Sequence, residues 1–199
     1  MGESSTTITP FWKHKRAAAY AEFCIRKDWQ LIPIPEGMSY DTIVITGMGP
    51  VGLGGVINGI SRGARVIAVE MNEYRRQLAK ELGASLVVDP TSQDAVEEII
   101  TFTNGEGADK SIDCSGSHHG QRLLIDTARR KGQVTLVGES GDLTIGVSND
   151  LIRKGLTFHG SWHYDLADTP LIMTIIAQQK AKIDKLITHR FPMSLIQEA

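Results

Sequence analysis

The residues best suited to chemistry in this sequence are the glycines of Gly-Met-Gly-Pro-Val-Gly at positions 47–52. They have the spacing G-x-G-x-x-G, and they lie between an apolar, β-branched run and a helical pattern. In such a turn the first glycine allows the tight bend, the second lets a diphosphate approach, and the third lets helix and strand pack closely. Helix-terminal N–H groups would hold the diphosphate. We therefore predict a dinucleotide site that includes Gly47, Gly49, Pro50, Val51 and Gly52.

The alternative interpretation is a glycine-rich turn that binds no ligand. The following segment argues against it, because Gly52, Gly54, Gly55 and Gly59 all fall inside the predicted helix. Each glycine costs about 1 kcal/mol relative to alanine in an exposed helix, so a purely structural helix would seldom contain four. Pro50 suits the first helical turn, where its missing N–H has no cost.

An acidic residue, Glu70, ends the next apolar run about 20 residues after the glycine turn, where dinucleotide sites place a ribose-binding carboxylate. Such a carboxylate accepts hydrogen bonds from both ribose hydroxyls and repels the 2′-phosphate of NADP. The sequence therefore predicts a preference for NAD. The alternative is a solvated glutamate at the end of a strand.

Metal-ligating residue types are present but poorly spaced. His118 and His119 are adjacent, so their side chains point apart in either a helix or a strand, and Cys114 lies at the end of a predicted strand. This is not the spacing of a zinc site. The cysteines, Cys24 and Cys114, are too few for a disulfide framework or a cysteine-based structural zinc site.

The elements that must position these residues alternate regularly from residue 42 onward. Apolar runs predict strands, and segments of helical period separate them. This alternation predicts an α/β fold with a doubly wound parallel sheet. The predicted strands are 42–47, 65–70, 85–89, 110–116, 133–138 and 156–162. The predicted helices are 72–82, which stops at Gly83, one that is capped by Ser92 and closed by Asn104 and Gly105, 121–130 and 169–180.

Composition describes an ordinary globular protein, with 41% apolar and 22% charged residues. The net charge of −2 gives no indication of nucleic-acid or membrane-surface binding. No apolar run approaches the roughly 20 residues of a membrane span. Together with the few cysteines, this composition leads us to expect a protein of a reducing compartment, the cytoplasm.

The order of these motifs resembles the zinc-type medium-chain dehydrogenases, in the branch of alcohol, sorbitol and threonine dehydrogenases. "GMGPVGLGG", "GARVIAVEMNEYRRQLAKELGA", "GADKSIDCSG" and "GQVTLVGESG" are similar to that family's cofactor domain in order and spacing. "AAAYAEF" and "LIPIPEGMSYD" resemble the last strands of its GroES-like catalytic domain, and "LITHRFPMSLIQEA" resembles the return towards that domain. The resemblance thus implies a catalytic-domain remnant at 1–40, a Rossmann domain at 41–185 and a return segment at 186–199.

The resemblance also implies further contacts with NAD. It places a basic residue over the adenosine ribose, a stretch beside the middle of the cofactor, and two segments at the nicotinamide. His163 would face the substrate, either as a proton relay or as a pocket-lining residue. In the order of these contacts, the implied residues are Arg75, then Cys114, Ser115 and Gly116, then Val137 and Gly138, and finally Ser161, Trp162 and His163.

The family's chemistry uses a catalytic zinc, whose ligands come from the catalytic domain and from the segment between the domains. Here residues 39–41 join the "EGMS" tail directly to the first cofactor-domain strand, so we expect the connector and the zinc ligands to be missing. The resemblance implies hydride transfer between NAD and a secondary alcohol or polyol, and a homo-oligomer. The alternative is a non-catalytic NAD-binding module or truncated fragment.

Overall fold

The computed structural model describes residues 41–162 and 166–195. Six parallel strands form one sheet in the order β3-β2-β1-β4-β5-β6. This is the doubly wound α/β arrangement that the sequence predicts, and the prediction is confirmed. The strands are β1 (Thr42–Thr46), β2 (Arg65–Val69), β3 (Leu86–Val88), β4 (Ala108–Asp113), β5 (Ala128–Leu136) and β6 (Thr157–Gly160).

Helices connect most of these strands as right-handed crossovers require. The helices are α1 (Pro50–Ser61), α2 (Glu73–Leu82), α3 (Ala95–Phe102), α4 (His118–Thr127), α5 (Thr169–Gln178) and α6 (Lys180–Ile183). A π-helix, Val147–Ile152, lies between β5 and β6. Among the helices of the described ranges, none is both long and apolar enough to cross a membrane.

The apolar runs form strands because both faces of the sheet are covered. Val44 and Ile45 are consecutive in β1 and fully buried, and because side chains alternate along a strand they belong to different clusters. Val44 packs in a cluster with Ile99 of α3, whereas Ile45 packs in a cluster with Ile57 of α1. Central strands of this kind read as continuous apolar sequence rather than as an alternating pattern.

The predicted C-terminal ends of α2 and α3 are confirmed by backbone geometry. Asn72 caps α2 by accepting a hydrogen bond from the N–H of Arg75, and Gly83 ends the helix with a φ of +108°. Asn104 and Gly105, after α3, have φ values of +56° and +85°. These are the left-handed conformations that glycine and asparagine adopt most readily.

The predicted boundaries of two helices, α3 and α4, are wrong. Ser92 does not cap α3, because α3 begins at Ala95 and the Ser92 hydroxyl accepts a hydrogen bond from Asp94 N–H instead. The helix predicted at 121–130 lies at His118–Thr127, since Ser117 provides its N-cap. The Lys154 ammonium donates to the carbonyls of Ile125 and Asp126 near the C-terminus of α4. A basic side chain at this position stabilises the helix end.

The predicted catalytic-domain remnant, residues 1–40, lies outside the described residues, as do His163 and residues 196–199. The proposed domain limits at 41, 185 and 186 therefore stay predictions.

Candidate cofactor site

The predicted site residues that the structure describes lie at one edge of the sheet. All six strands are parallel, so their carboxyl ends share an edge, and the strand order reverses between β1 and β4. In open α/β sheets, ligands bind outside the carboxyl ends at such a switch point. These residues lie in the turns, or in the first turns of the helices, that follow β1 (Gly47, Gly49, Pro50, Val51 and Gly52), β2 (Glu70 and Arg75), β4 (Cys114, Ser115 and Gly116), β5 (Val137 and Gly138) and β6 (Ser161 and Trp162).

The turn after β1 requires glycine at two positions for steric reasons. Gly47 has a φ of +82°, and a Cβ there would lie 2.7 Å from the Cα of Ser115. A Cβ at Gly52 would lie 1.8 Å from the carbonyl oxygen of Gly47, far inside contact distance. These two glycines therefore let the turn, α1 and the segment after β4 pack backbone to backbone.

Gly49 differs, because no described atom lies within 4 Å of the position its Cβ would take. It is the N-cap residue of α1, and Pro50 follows as the first helical residue. The first turn of α1 contains no acidic side chain, and Val51 is 62% exposed. No residue of the described ranges therefore fills the space beside Gly49 at the positive end of this twelve-residue helix, and such an end favours an anion.

Glu70, directly after β2, is buried and hydrogen-bonded to two backbone amides. One carboxylate oxygen accepts from the N–H of Met48 in the glycine turn at 2.7 Å. The other accepts from the N–H of Asn72 at 2.9 Å. The residue is 9% exposed. The sequence placed this carboxylate beside the glycine turn but did not predict that it would brace the turn directly.

Two arginines with different roles follow Glu70. The Arg75 guanidinium is half-exposed and lies 3.9 Å from the Glu70 carboxylate. Arg76 donates to the carbonyl of Glu70 at 2.9 Å and pairs with Asp89 at 2.8 Å, so it fixes the segment after β2. Sequence reasoning missed Arg76, and the only signal for it was its position at the start of α2, where carbonyls of the preceding turn lie within reach.

Asp113, the last residue of β4, is fully buried and was also missed. One carboxylate oxygen accepts hydrogen bonds from the Thr46 hydroxyl and from the N–H and hydroxyl of Ser115. The other accepts from the N–H of Gly116 and the amide of Gln121. The available signal was an aspartate inside the predicted strand 110–116, since aspartate is almost never fully buried without partners.

The thiol of Cys114 is held in its protonated form, which is unsuited to nucleophilic chemistry. Burial, with a further contribution from the negative charge of Asp113, raises the pKa of Cys114 to about 12. The thiolate is the form that binds metals and attacks electrophiles, so this side chain stays a protonated, half-buried packing group at neutral pH.

The last turn of the edge follows β6. The N–H of Ser161 donates to the carbonyl of Leu136 at 3.0 Å, which ties this turn to the end of β5. Trp162 is 76% exposed. The predicted candidate for a proton relay, His163, lies outside the described residues.

The described residues do not fit a zinc site. Within 41–162 and 166–195, no three histidine, cysteine, aspartate or glutamate side chains are grouped so that they could hold a metal. His118 and His119 are both exposed at the start of α4. No catalytic step through a metal is therefore derived from this part of the chain.

Comparison with known proteins agrees with this geometry. The sequence model of the zinc-binding dehydrogenases matches residues 50–178, well over half of the chain. The chain belongs to that family. Among curated proteins it is 33% identical, over 165 residues, to L-threonine 3-dehydrogenase of Symbiobacterium thermophilum, covering 79% of this chain and 46% of that protein.

Solved structures of this family show the same fold. An alcohol dehydrogenase from Thermotoga maritima superposes with a TM-score of 0.77 at 31% identity, covering 83% of this chain and 47% of that one. A protein described as an NAD-dependent alcohol dehydrogenase superposes with a TM-score of 0.61 at 25% identity, covering 71% of this chain and 41% of that one. The chain thus spans about half the length of the relatives that it matches.

Proposed function

We propose that the described domain binds NAD(H), with the diphosphate at the turn 47–52 and the adenosine ribose at Glu70. We further propose that it is the cofactor-binding part of an oxidoreductase that transfers hydride between NAD and a secondary alcohol or polyol. The similarity to alcohol and threonine dehydrogenases supports the class of reaction. The choice of NAD rests on Glu70 and on the NAD-dependent relative.

The observation that carries the proposal is the open space at Gly49. The neighbouring glycines are filled by protein, with Gly52 against Gly47 and Gly47 against Ser115, whereas the Cβ position of Gly49 meets no described atom. A glycine kept open at the N-terminus of a helix suits a ligand that approaches the backbone closely. A diphosphate fits, because helix-terminal N–H groups would neutralise it.

Glu70 supplies the predicted discrimination between NAD and NADP. Its carboxylate is fixed by the N–H groups of Met48 and Asn72, so it cannot turn away from a 2′-phosphate without breaking two hydrogen bonds. Each oxygen retains a lone pair for a ribose hydroxyl. We expect NADH to bind at least about tenfold more tightly than NADPH, because one charge-assisted hydrogen bond contributes about 1.5–3 kcal/mol.

When bound, NAD supplies the hydride acceptor. The part of this chain that the structure describes would hold the cofactor and orient it along the carboxyl edge, from Glu70 past the glycine turn towards the turns after β4 and β5. Substrate activation belongs to residues that this domain does not provide, since no zinc site fits the described residues.

Isothermal titration calorimetry with NADH and NADPH tests the proposal, alongside zinc analysis and polyol turnover on the same sample. NADH binding with weak NADPH binding supports the assigned site, and the absence of NADH binding contradicts it. Zinc together with measurable NAD reduction would identify an active dehydrogenase. Binding without zinc or turnover would instead identify the alternative, a non-catalytic NAD-binding module.

A further inference from the structure

The strand order determines which turns each half of a dinucleotide would meet. The glycine turn follows β1, Glu70 follows β2 on one side of it, and the turns after β4 and β5 lie on the other side. A diphosphate at the glycine turn with its adenosine ribose at Glu70 therefore directs the second nucleoside over the turns after β4 and β5. The residues that fix the turns after β4 and β5 should therefore determine how well the second nucleoside of the ligand binds.

Backbone contacts make the two turns one unit. A Cβ at Gly138 would lie 2.3 Å from the N of Gly116, and a Cβ at Gly116 would lie 2.2 Å from the carbonyl oxygen of Glu139. Gly116 also has a φ of +64°. Because side chains are excluded from the contact between the turns after β4 and β5, hydrogen bonds must hold these turns in place relative to each other.

Those hydrogen bonds converge on Asp113. Its carbonyl oxygen accepts from the N–H groups of Val137 and Gly138, which anchors the turn after β5. Its carboxylate accepts from Ser115 and Gly116, which anchors the turn after β4. The same carboxylate reaches the Gln121 amide at 2.9 Å, and Gln121 in turn bonds to the Ser140 hydroxyl at 3.0 Å.

We propose that Asp113 is a positioning residue for the second nucleoside of the bound dinucleotide, which it serves by fixing the turns after β4 and β5. This inference rests on the proposed NAD binding. Asp113 does not touch the ligand, because the residue is fully buried and its carboxylate already accepts five hydrogen bonds, about the capacity of its lone pairs. Its effect on the ligand is transmitted by Gly116 and Gly138.

Asp113→Asn is the sharpest variant because it keeps the shape of the side chain. An asparagine NH2 in place of the oxygen that faces Gly116 and Gln121 would meet two donors. Gln121 can rotate its amide to present an oxygen, whereas the N–H of Gly116 cannot. In the opposite orientation the NH2 would face the N–H of Ser115, so either orientation removes the acceptor of one backbone N–H and should release the turn after β4 while retaining most of the fold.

The test compares NADH with ADP, which contains only the adenosine and the diphosphate. For Asp113→Asn we expect the calorimetric dissociation constant for NADH to rise about tenfold or more and that for ADP to change less than about twofold, as expected when one hydrogen bond to a charged group is lost. A matched control is Asp150→Asn. Asp150 is another buried carboxylate, but its hydrogen-bonding partners are Arg122 and the N–H of Gly146. The Asp150→Asn variant should have lower thermal stability but an unchanged ratio of the dissociation constants for NADH and ADP.

A second variant, Gln121→Met, removes one donor to Asp113 and should raise the NADH constant selectively by about two- to fourfold, which covers the case in which Asp113→Asn does not fold. If a folded variant loses NADH and ADP binding equally, or loses neither, the proposed role of Asp113 is wrong, whereas the proposed NAD binding is not affected. A wild-type protein that binds neither ligand overturns the proposed function and this inference with it.

Discussion

The carboxyl edge of the sheet contains two buried carboxylates that the fold treats differently. Glu70, after β2, accepts one backbone N–H on each oxygen and is 9% exposed. Asp113, at the end of β4, accepts five hydrogen bonds and is fully buried. The residue class and the sheet edge are shared, so the number of donors supplied by the fold decides whether a carboxylate keeps capacity for a ligand.

The two regions also use glycine differently. Beside Glu70, Gly47 and Gly52 pack on protein while Gly49 remains open. Beside Asp113, Gly116 and Gly138 pack against each other's segments. The region beside Glu70 therefore leaves an unfilled approach to a helix N-terminus, which suits ligand binding. The region beside Asp113 has its contacts satisfied within the protein, which suits a supporting role.

The largest expected effect comes from filling the space at Gly52. Gly52→Ala places a Cβ 1.8 Å from the Gly47 carbonyl oxygen, so the glycine turn must move. We expect a loss of about 3 kcal/mol or more in the free energy of unfolding, at the upper end for overpacked sites. Urea denaturation followed by circular dichroism measures it.

Gly54→Ala is the matched control in the same helix. Apart from the chain neighbours of Gly54 and the backbone of its own helix, no described atom lies within 4 Å of its Cβ position, so helix propensity should dominate and the variant should gain up to about 1 kcal/mol. Equal stability of the Gly52 and Gly54 variants would contradict the packing attributed to the glycine turn.

The next prediction tests whether Glu70 affects NADH binding through a specific hydrogen bond to the ribose or only through its negative charge. Glu70→Ala removes the proposed ribose acceptor and also frees the N–H of Met48, and we expect NADH binding to weaken by about 1.5–3 kcal/mol. Fluorescence titration of NADH measures this change.

Glu73→Ala removes a carboxylate only three residues away, whose side chain is 79% exposed and pairs with Arg76. Its effect on NADH binding should stay below about 0.5 kcal/mol, as is usual for exposed ion pairs. Similar losses in the Glu70 and Glu73 variants would show that general electrostatics, rather than a specific contact, governs the site.

The smallest expected effect concerns a third carboxylate, Asp150, whose two oxygens both accept hydrogen bonds from Arg122. The Arg122 guanidinium lowers the pKa of Asp150 from 3.8 to about 2. Because the pKa is lower in the folded state, this stabilisation is fully present above about pH 4 and is lost as the pH falls towards 2. Asp150→Asn should reduce the melting temperature by about 2–4 °C at pH 6.

The same variant should differ from the wild type almost as much at pH 4 as at pH 6, and progressively less at pH 3 and pH 2. Differential scanning fluorimetry across these values checks the trend. A difference in melting temperature that is independent of pH would mean that the ionised pair between Asp150 and Arg122 does not stabilise the fold.

The sequence predicted the framework because the framework depends on local patterns. The apolar run of β1 is buried on both faces of the sheet. Positions 47 and 52 require glycine for steric reasons, and the spacing of the motif alone indicates these positions. Glu70 was found by its distance along the chain from the glycine turn. For the same reason Gly83 marked the C-terminus of α2 correctly.

What the sequence could not predict depends on contacts between distant segments. Thr46 and Asp113 are 67 residues apart, and their hydrogen bond exists only because β1 and β4 are neighbours in the sheet. Lys154 likewise reaches the C-terminus of α4 from a segment beyond β5, 29 residues after the carbonyl of Ile125 to which it donates. Periodicity within one helix contains no information about either contact.

A crystal structure of the protein with NAD bound tests the central claim most directly. The account predicts a diphosphate against the backbone amides at Gly49 and Val51, the adenosine ribose within hydrogen-bonding distance of Glu70, and the nicotinamide half over Gly116 and Gly138. A cofactor bound elsewhere, or a crevice at Gly49 that stays empty in millimolar NAD, would contradict it.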